Sequence, residues 1–267
     1  MIDMLIDTHS HLYDEAFDED RLLAIKRAKE AGVVRLLLPA IDAESDERMF
    51  AMVREHNDYA VAMMGLHPTS VNDNPDWQRE LERVERYLAE PPLGIGRFCA
   101  VGEIGLDLYW SSDFAEQQRC AFERQIELAL SYDLPIVVHT RNAWEEMCES
   151  VEKYAGRGLR GVFHAFSGEE QHYHRLMACG DFLFGIGGTV TYKKSKVAEL
   201  VERVIPLERI VLETDCPYLT PVPHRGERNE SAYVAIVCDK VAALKGVSAA
   251  EVASVTTASA ERMFGLK

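Results

Sequence analysis

The sequence predicts an α/β fold of the (β/α)8 barrel type, a parallel sheet closed on itself with an extra helix at the C-terminus. Three observations predict it. Short apolar runs alternate with longer amphipathic segments along the chain, no hairpin signal joins successive runs, and 267 residues with 47% hydrophobic content suffice for one sizeable core. The alternative is an open doubly wound sheet, but no G-x-G-x-x-G follows the first run. No low-complexity tract or linker interrupts the pattern, so residues 1–267 read as a single domain.

The apolar runs, in order, are "MLID", "VVRLLLPAI", "YAVAMMGLH", "FCAVGEIGLD", "PIVVH", "GVFHAF", "DFLFGIGG" and "RIVLETD". Each reads as a buried strand. Gly32 stands where a C′ glycine ends the first helix. In "DFAEQQRCAFERQIELALSYD", Phe122, Ile126, Ala129 and Leu130 fall on one helical stripe, and Asp113 with Glu116 reads as a capping box at its start. The tail "SAAEVASVTTASAERMFG" opens with the box Ser248–Glu251 and supplies the extra helix.

Active sites of such barrels lie at the C-terminal ends of the strands. The first run ends in His9 and His11, the third in His67 and the fourth in Glu103. The fifth ends in His139, the sixth in His164, and the eighth in Glu213 and Asp215. Imidazoles and carboxylates converging on one rim suit a divalent ion. Singly, each histidine also reads as a hydrogen-bonded rim residue, and Glu103 or Asp215 as the ion-pair partner of an arginine such as Arg141. Asp7 shares the parity of His9 and His11 and either joins that face or pairs with a cation inside the barrel. His56, His172 and His174 fall in helical patterns and read as surface residues. Cys216 follows Asp215 with opposite parity and reads as packing. Trp110 and Tyr109, after "GLD", sit at the barrel mouth, where either could stack on a base.

The formal net charge of −15 excludes an extended basic groove for duplex DNA and a membrane-surface role. It leaves room for a small cationic site built around bound ions. No apolar run approaches the roughly 20 residues of a membrane span, and no secretory signal is indicated. Six scattered cysteines without a C-x-x-C pair suit a reducing cytoplasm.

"IDTHSHL", "GLHP", "VGEIGLD", "IVVHTR", "FHAFSG", "GIGGTVTYK", "VLETDCPYLTP" and "HRGERN" occur in the order and spacing of the TatD family of metal-dependent deoxyribonucleases, which the chain resembles from about residue 3 to residue 265. The resemblance implies two divalent ions, magnesium, manganese or zinc. His9, His11 and Asp215 would hold the first, His139 and His164 the second, and Glu103 would bridge them. His67 would face the substrate phosphate. Glu213 would orient a ligand or hold a water. In the loop "PVPHRGERN", Arg225, Arg228 and Asn229, with His224 nearby, would meet phosphate oxygens. Lys193 and Lys194 would contact the phosphate backbone or simply begin a helix. Ser231 stands where the family usually has proline.

The expected activity is hydrolysis of DNA phosphodiesters, exonucleolytic on single strands or ends. Asp215 would accept a proton from the attacking water, and His67 would orient the phosphoryl group or protonate the leaving oxygen. The few cations expected at the mouth imply DNA held locally near an end, no membrane partner, and compatibility with a monomer. The alternatives are a metal-dependent hydrolase of another ester or amide, such as a lactone, and a binding protein that keeps the fold without turnover.

Overall fold

The structure, a computed structural model, describes residues 4–266; residues 1–3 and 267 of the expected single domain lie outside them. Among the described residues the strands are β1 (Leu5–Asp7), β2 (Val33–Leu38), β3 (Ala60–Ala62), β4 (Val101–Asp107), β5 (Ile136–Arg141), β6 (Arg160–Phe163), β7 (Asp181–Ile186) and β8 (Ile210–Leu212). They pair in parallel, β1-β2-β3 in one sheet and β4 through β8 in the other. Two seams close the ring. A Met64–Val101 bridge joins the end of β3 to β4, and a Ser10–Cys216 bridge joins the chain beyond β1 to the chain beyond β8. Thr8 N also donates to Leu212 O at 3.0 Å across the second seam. The expected (β/α)8 barrel is what forms.

Helices α1 (Arg21–Glu30), α2 (Asp46–Glu55), α3 (Trp77–Ala89), α4 (Ala115–Ser131), α5 (Trp144–Glu152), α6 (Glu170–Met177), α7 (Lys196–Arg203) and α8 (Val234–Lys245) alternate with the strands, and α9 (Ala249–Phe264) is the extra helix. α1 ends with Gly32 in the left-handed region at φ 90°, as the C′ glycine predicts. Ser248 Oγ caps α9 by accepting from Glu251 N at 3.1 Å. The expected box at Asp113 is corrected: α4 begins after Phe114, and no side chain caps it. His172 is likewise buried, packed between Trp144 and Glu145, and not on the surface.

α9 explains how a barrel of small inner side chains is filled. Ile6, Leu37, Val137, Val162, Leu183 and Val211 form an inner layer, and Ala260, Met263 and Phe264 of α9 pack into the same cluster. The extra helix therefore closes one end of the barrel and leaves the opposite, C-terminal end for chemistry.

On α4, Gln118 and Gln125 share a face at i, i+7 and are both buried. Gln118 accepts from Asp107 N at 2.8 Å and donates to Asp107 O at 2.9 Å. Gln125 accepts from Leu66 N at 2.7 Å and donates to Leu66 O at 3.1 Å. Each amide thus grips one backbone residue at the rim, Asp107 at the end of β4 and Leu66 just before His67. Unpaired, those buried peptide groups would be costly.

Phe264→Ala removes the largest side chain from the closed end. It is expected to destabilise the fold by about 3–5 kcal/mol in denaturant unfolding. A loss under about 1 kcal/mol would show that α9 does not complete the inner core.

Candidate metal centre

At the open end the strand-end residues converge on a single carboxylate. Glu103 lies within β4 and is 3% exposed. Its Oε2 is 3.0 Å from His9 Nε2 and 3.7 Å from His11 Nε2. Its Oε1 is 2.9 Å from His139 Nδ1, 3.3 Å from His164 Nε2 and 3.4 Å from His67 Nε2. Asp215 Oδ1 completes the first group, 3.4 Å from His11 Nε2 and 3.7 Å from His9 Nε2. One carboxylate therefore faces two clusters of nitrogens, one with each oxygen. Arg141 pairs with neither acid, which corrects the ion-pair reading; it lies over the Tyr109 ring.

The outward nitrogens of His11, His139 and His164 are held, and this assigns protons; His9 Nδ1 has no hydrogen-bond partner among the described residues. Tyr13 Oη donates to Pro39 O at 2.5 Å, so its contact with His11 Nδ1 at 3.0 Å has the imidazole as donor. His11 then presents a lone pair on Nε2. His139 Nε2 lies 3.0 Å from Asp107 Oδ2, an acceptor, so its free lone pair is on Nδ1. His164 Nδ1 lies 3.2 Å from Glu213 Oε1, which leaves Nε2 as the lone pair. In the neutral rings it is therefore the inward nitrogen that is free to meet a metal, as metal-ligating histidines require. His67 is the reverse case. Its Nδ1 accepts from Thr69 N at 3.2 Å, so in the neutral ring the proton sits on Nε2 and faces Glu103 and the cavity.

Burial alone would push the Glu103 carboxyl up, but the surrounding imidazoles outweigh it and hold it well below the usual carboxylate range. Asp215 is also lowered, with burial opposed by His11, His164 and His9. Burial lowers His9 and His67. His139 is raised because its bonds to Asp107 and Glu103 overcome burial. His164 is raised well above its ordinary value, since Glu213 and Glu103 overcome the same cost. A divalent cation would take the place of the protons shared between these imidazoles and carboxylates. Among the described residues the ligand atoms fall into three groups lying within 4.8 Å of one another, His9–His11–Asp215, His9–Glu103–His164 and His67–Glu103–His139. The residues fit a metal.

Several sequence readings change. Glu213 is fully buried and touches His164 and Ala165 N, not the cavity, which fits the expected orienting part and not contact with substrate. Asp7 pairs with no cation among the described residues. It accepts from Thr214 N at 2.9 Å and Thr214 Oγ1 at 2.6 Å, stitching β1 to the chain beyond β8, and burial pushes its carboxyl up to about 7. Arg228 is not free for phosphate: it forks onto Asp20 at 2.7 and 2.8 Å and caps the Phe17 ring. Asn229 is wholly buried and donates to Thr214 O and Tyr218 O, clamping the chain on both sides of Asp215. Arg225 remains exposed, stacked over Tyr192. Ser231 is buried, and its hydroxyl lies 3.0 Å from that of Ser10, between His9 and His11. Cys216 is buried as packing. Asp107, Tyr13 and Gln118 were not anticipated; Asp107 closes the "GLD" motif and was the one with a visible signal.

Tyr13→Phe removes the acceptor that fixes the His11 tautomer. It is expected to weaken divalent-ion binding about 10–100-fold in a metal titration, with the fold retained. Unchanged affinity would show that Tyr13 does not orient His11.

The cavity above the cluster has a volume of about 860 Å³ and is lined by His11, His67, Glu103, His139, His164 and Asp215, among others. Among the described residues no helix is long and apolar enough to cross a membrane. A family model described as TatD related DNase matches residues 6–265. A Bacillus subtilis protein named as an uncharacterized metal-dependent hydrolase, YabD, is 36% identical over 98% of this chain and 99% of its own. The 3'-5' ssDNA/RNA exonuclease TatD of Erwinia tasmaniensis is 32% identical over 98% of this chain and 100% of its own. The crystal structure of YJJV, a TatD homolog from Escherichia coli K12, superposes with a TM-score of 0.89 at 31% identity, covering 100% of both chains. With a rim of histidines and acids on a closed barrel and a family match over nearly its whole length, the chain belongs to the TatD related DNase family.

Proposed function

We propose that the protein is a metal-dependent nuclease that hydrolyses phosphodiester bonds of single-stranded nucleic acid from an end, with two divalent ions held on either side of Glu103. The observation that carries this reading is the division of Glu103, with Oε2 toward His9 and His11 and Oε1 toward His139 and His164. His9, His11 and Asp215 would hold one ion, and His139 and His164 the other. When bound, such ions supply Lewis-acid charge for phosphoryl oxygens and lower the pKa of water. The printed name of the Erwinia relative supports single-stranded DNA or RNA as the substrate class.

The chain's own groups have distinct tasks. His67 directs an N–H on Nε2 into the cavity, which suits donation to a phosphoryl oxygen or to the leaving oxygen. Asp215 lines the cavity with a carboxylate held ionised, which suits acceptance of a proton from the attacking water. Asp107, Glu213 and Tyr13 keep three imidazoles in their ligating tautomers. Arg225 and Lys194 bring positive charge to a protein of net charge −15, enough to hold a few phosphates and not a long duplex.

Metal-stripped protein is to be supplied with magnesium, manganese or zinc in turn and given end-labelled single-stranded DNA, RNA and closed circular duplex. Stepwise shortening of the single strands and an intact circle are expected. Glu103→Ala should abolish turnover and lower metal content. His67→Ala should keep its metal and lose about 10²–10⁴-fold in rate. Hydrolysis of lactones or amides with no action on any oligonucleotide would overturn the nuclease reading, and loss of metal from His67→Ala would make His67 a ligand.

A further inference from the structure

Beyond the metal ligands, one feature of the rim lacks a role in holding the fold. Trp110 is 70% exposed and lines the cavity, and Tyr109, 51% exposed, precedes it two residues beyond the end of β4. Large exposed aromatic surface at a concave site marks a ligand contact. The two rings meet edge to face at 4.9 Å. The Arg141 guanidinium lies 3.6 Å from the Tyr109 centroid and 5.7 Å from that of Trp110. Arg141 has no carboxylate partner among the described residues, unlike Arg228, so its charge is held on an aromatic surface and remains available at the mouth.

The platform is registered to the metal centre by covalent and hydrogen-bonded links. Arg141 lies two residues beyond His139 on β5, on the same face. Asp107 holds His139 Nε2 with Oδ2 and Tyr109 N with Oδ1, the latter at 3.0 Å. One buried carboxylate therefore sets both a candidate ligand and the aromatic segment. Trp110 and Arg141 line the same cavity as His139, together with Tyr192 and Lys194.

Resting on the nuclease reading above, we propose that Trp110, backed by Arg141 and Tyr109, is a stacking subsite for one unpaired nucleobase adjacent to the phosphate at the metal centre, and that it sets a preference for single strands. Stacking on an aromatic face tolerates any base, since every base has a π-surface, but it requires that the base has left its duplex. A paired terminus would have to fray before it could be held.

The test is binding of a short phosphorothioate oligothymidylate, resistant to cleavage and fluorescently labelled, to metal-loaded wild type, Trp110→Ala and Trp110→Phe. A companion set carries one abasic nucleotide at successive positions from the end. Wild type should bind about 5- to 100-fold more weakly when the base at one position near the end is missing, the range expected for a stacked base. Trp110→Ala should show that same loss with the intact strand and no further loss with the abasic one, while Trp110→Phe restores most of the difference. If Trp110→Ala binds both strands as wild type does, or still distinguishes them, the subsite is overturned and the nuclease reading stands. If wild type binds no oligonucleotide at all, both are overturned.

Discussion

The structure depends on one buried carboxylate shared between two sets of imidazoles. An isolated carboxylate with the burial of Glu103 would take up a proton rather than remain charged. Here both oxygens face nitrogen, and the group stays ionised because His9, His164, His67 and His139 surround it. Bringing those rings together requires β4 and β5 to approach more closely than side chains allow. A Cβ on Gly105, at φ 149°, would lie 1.9 Å from His139 O, so only glycine lets β4 reach the strand that carries His139. Gly185 on β7 instead leaves room for a side chain, since a Cβ there would meet Glu213 Oε2 at 2.1 Å. Closed-barrel packing and site geometry are thus one constraint.

The residues just past the strand ends hold conformations that ordinary chain avoids. Asp215 sits at φ 57° and Ala165, directly after His164, at φ 42°. Each costs on the order of 1–3 kcal/mol and persists only where neighbours over-determine it. They do so here. Asp215 N donates to His9 O at 2.9 Å, and Asn229 clamps Thr214 and Tyr218 on either side. Ala165 N donates to Glu213 Oε1 at 2.6 Å, the same oxygen that orients His164. The outer groups therefore place both the imidazoles and the backbone from which they leave.

Strands were legible because a fully buried parallel strand is an uninterrupted apolar run, and the histidines and acids were legible because they interrupt those runs at the rim. The groups that orient them were not. Tyr13, Gln118 and Gln125 look like core or helix-face residues until the fold brings Pro39, Asp107 and Leu66 beside them. Arg228 and Asn229 looked like phosphate contacts because they adjoin Arg225 in a polar loop. Sequence shows that a residue carries charge or an amide, but not whether Asp20 or a backbone carbonyl has already claimed it. His172 was misplaced for the same reason: its partner Glu145 lies on a different helix. The tautomers of His139 and His164 are set by Asp107 and Glu213, which lie far from them in the chain, whereas His11 and His67 are set by neighbours two residues on.

On the proposed function, Glu103 would be shared by two divalent ions. Electron paramagnetic resonance of the protein loaded with two equivalents of manganese(II) tests this most directly. Ions bridged by one carboxylate are spin-coupled, and the account predicts a coupled spectrum that collapses in Glu103→Ala. If the fully loaded wild type gives only the resolved hyperfine pattern of isolated manganese, the two ions are not held across Glu103, and the account is contradicted.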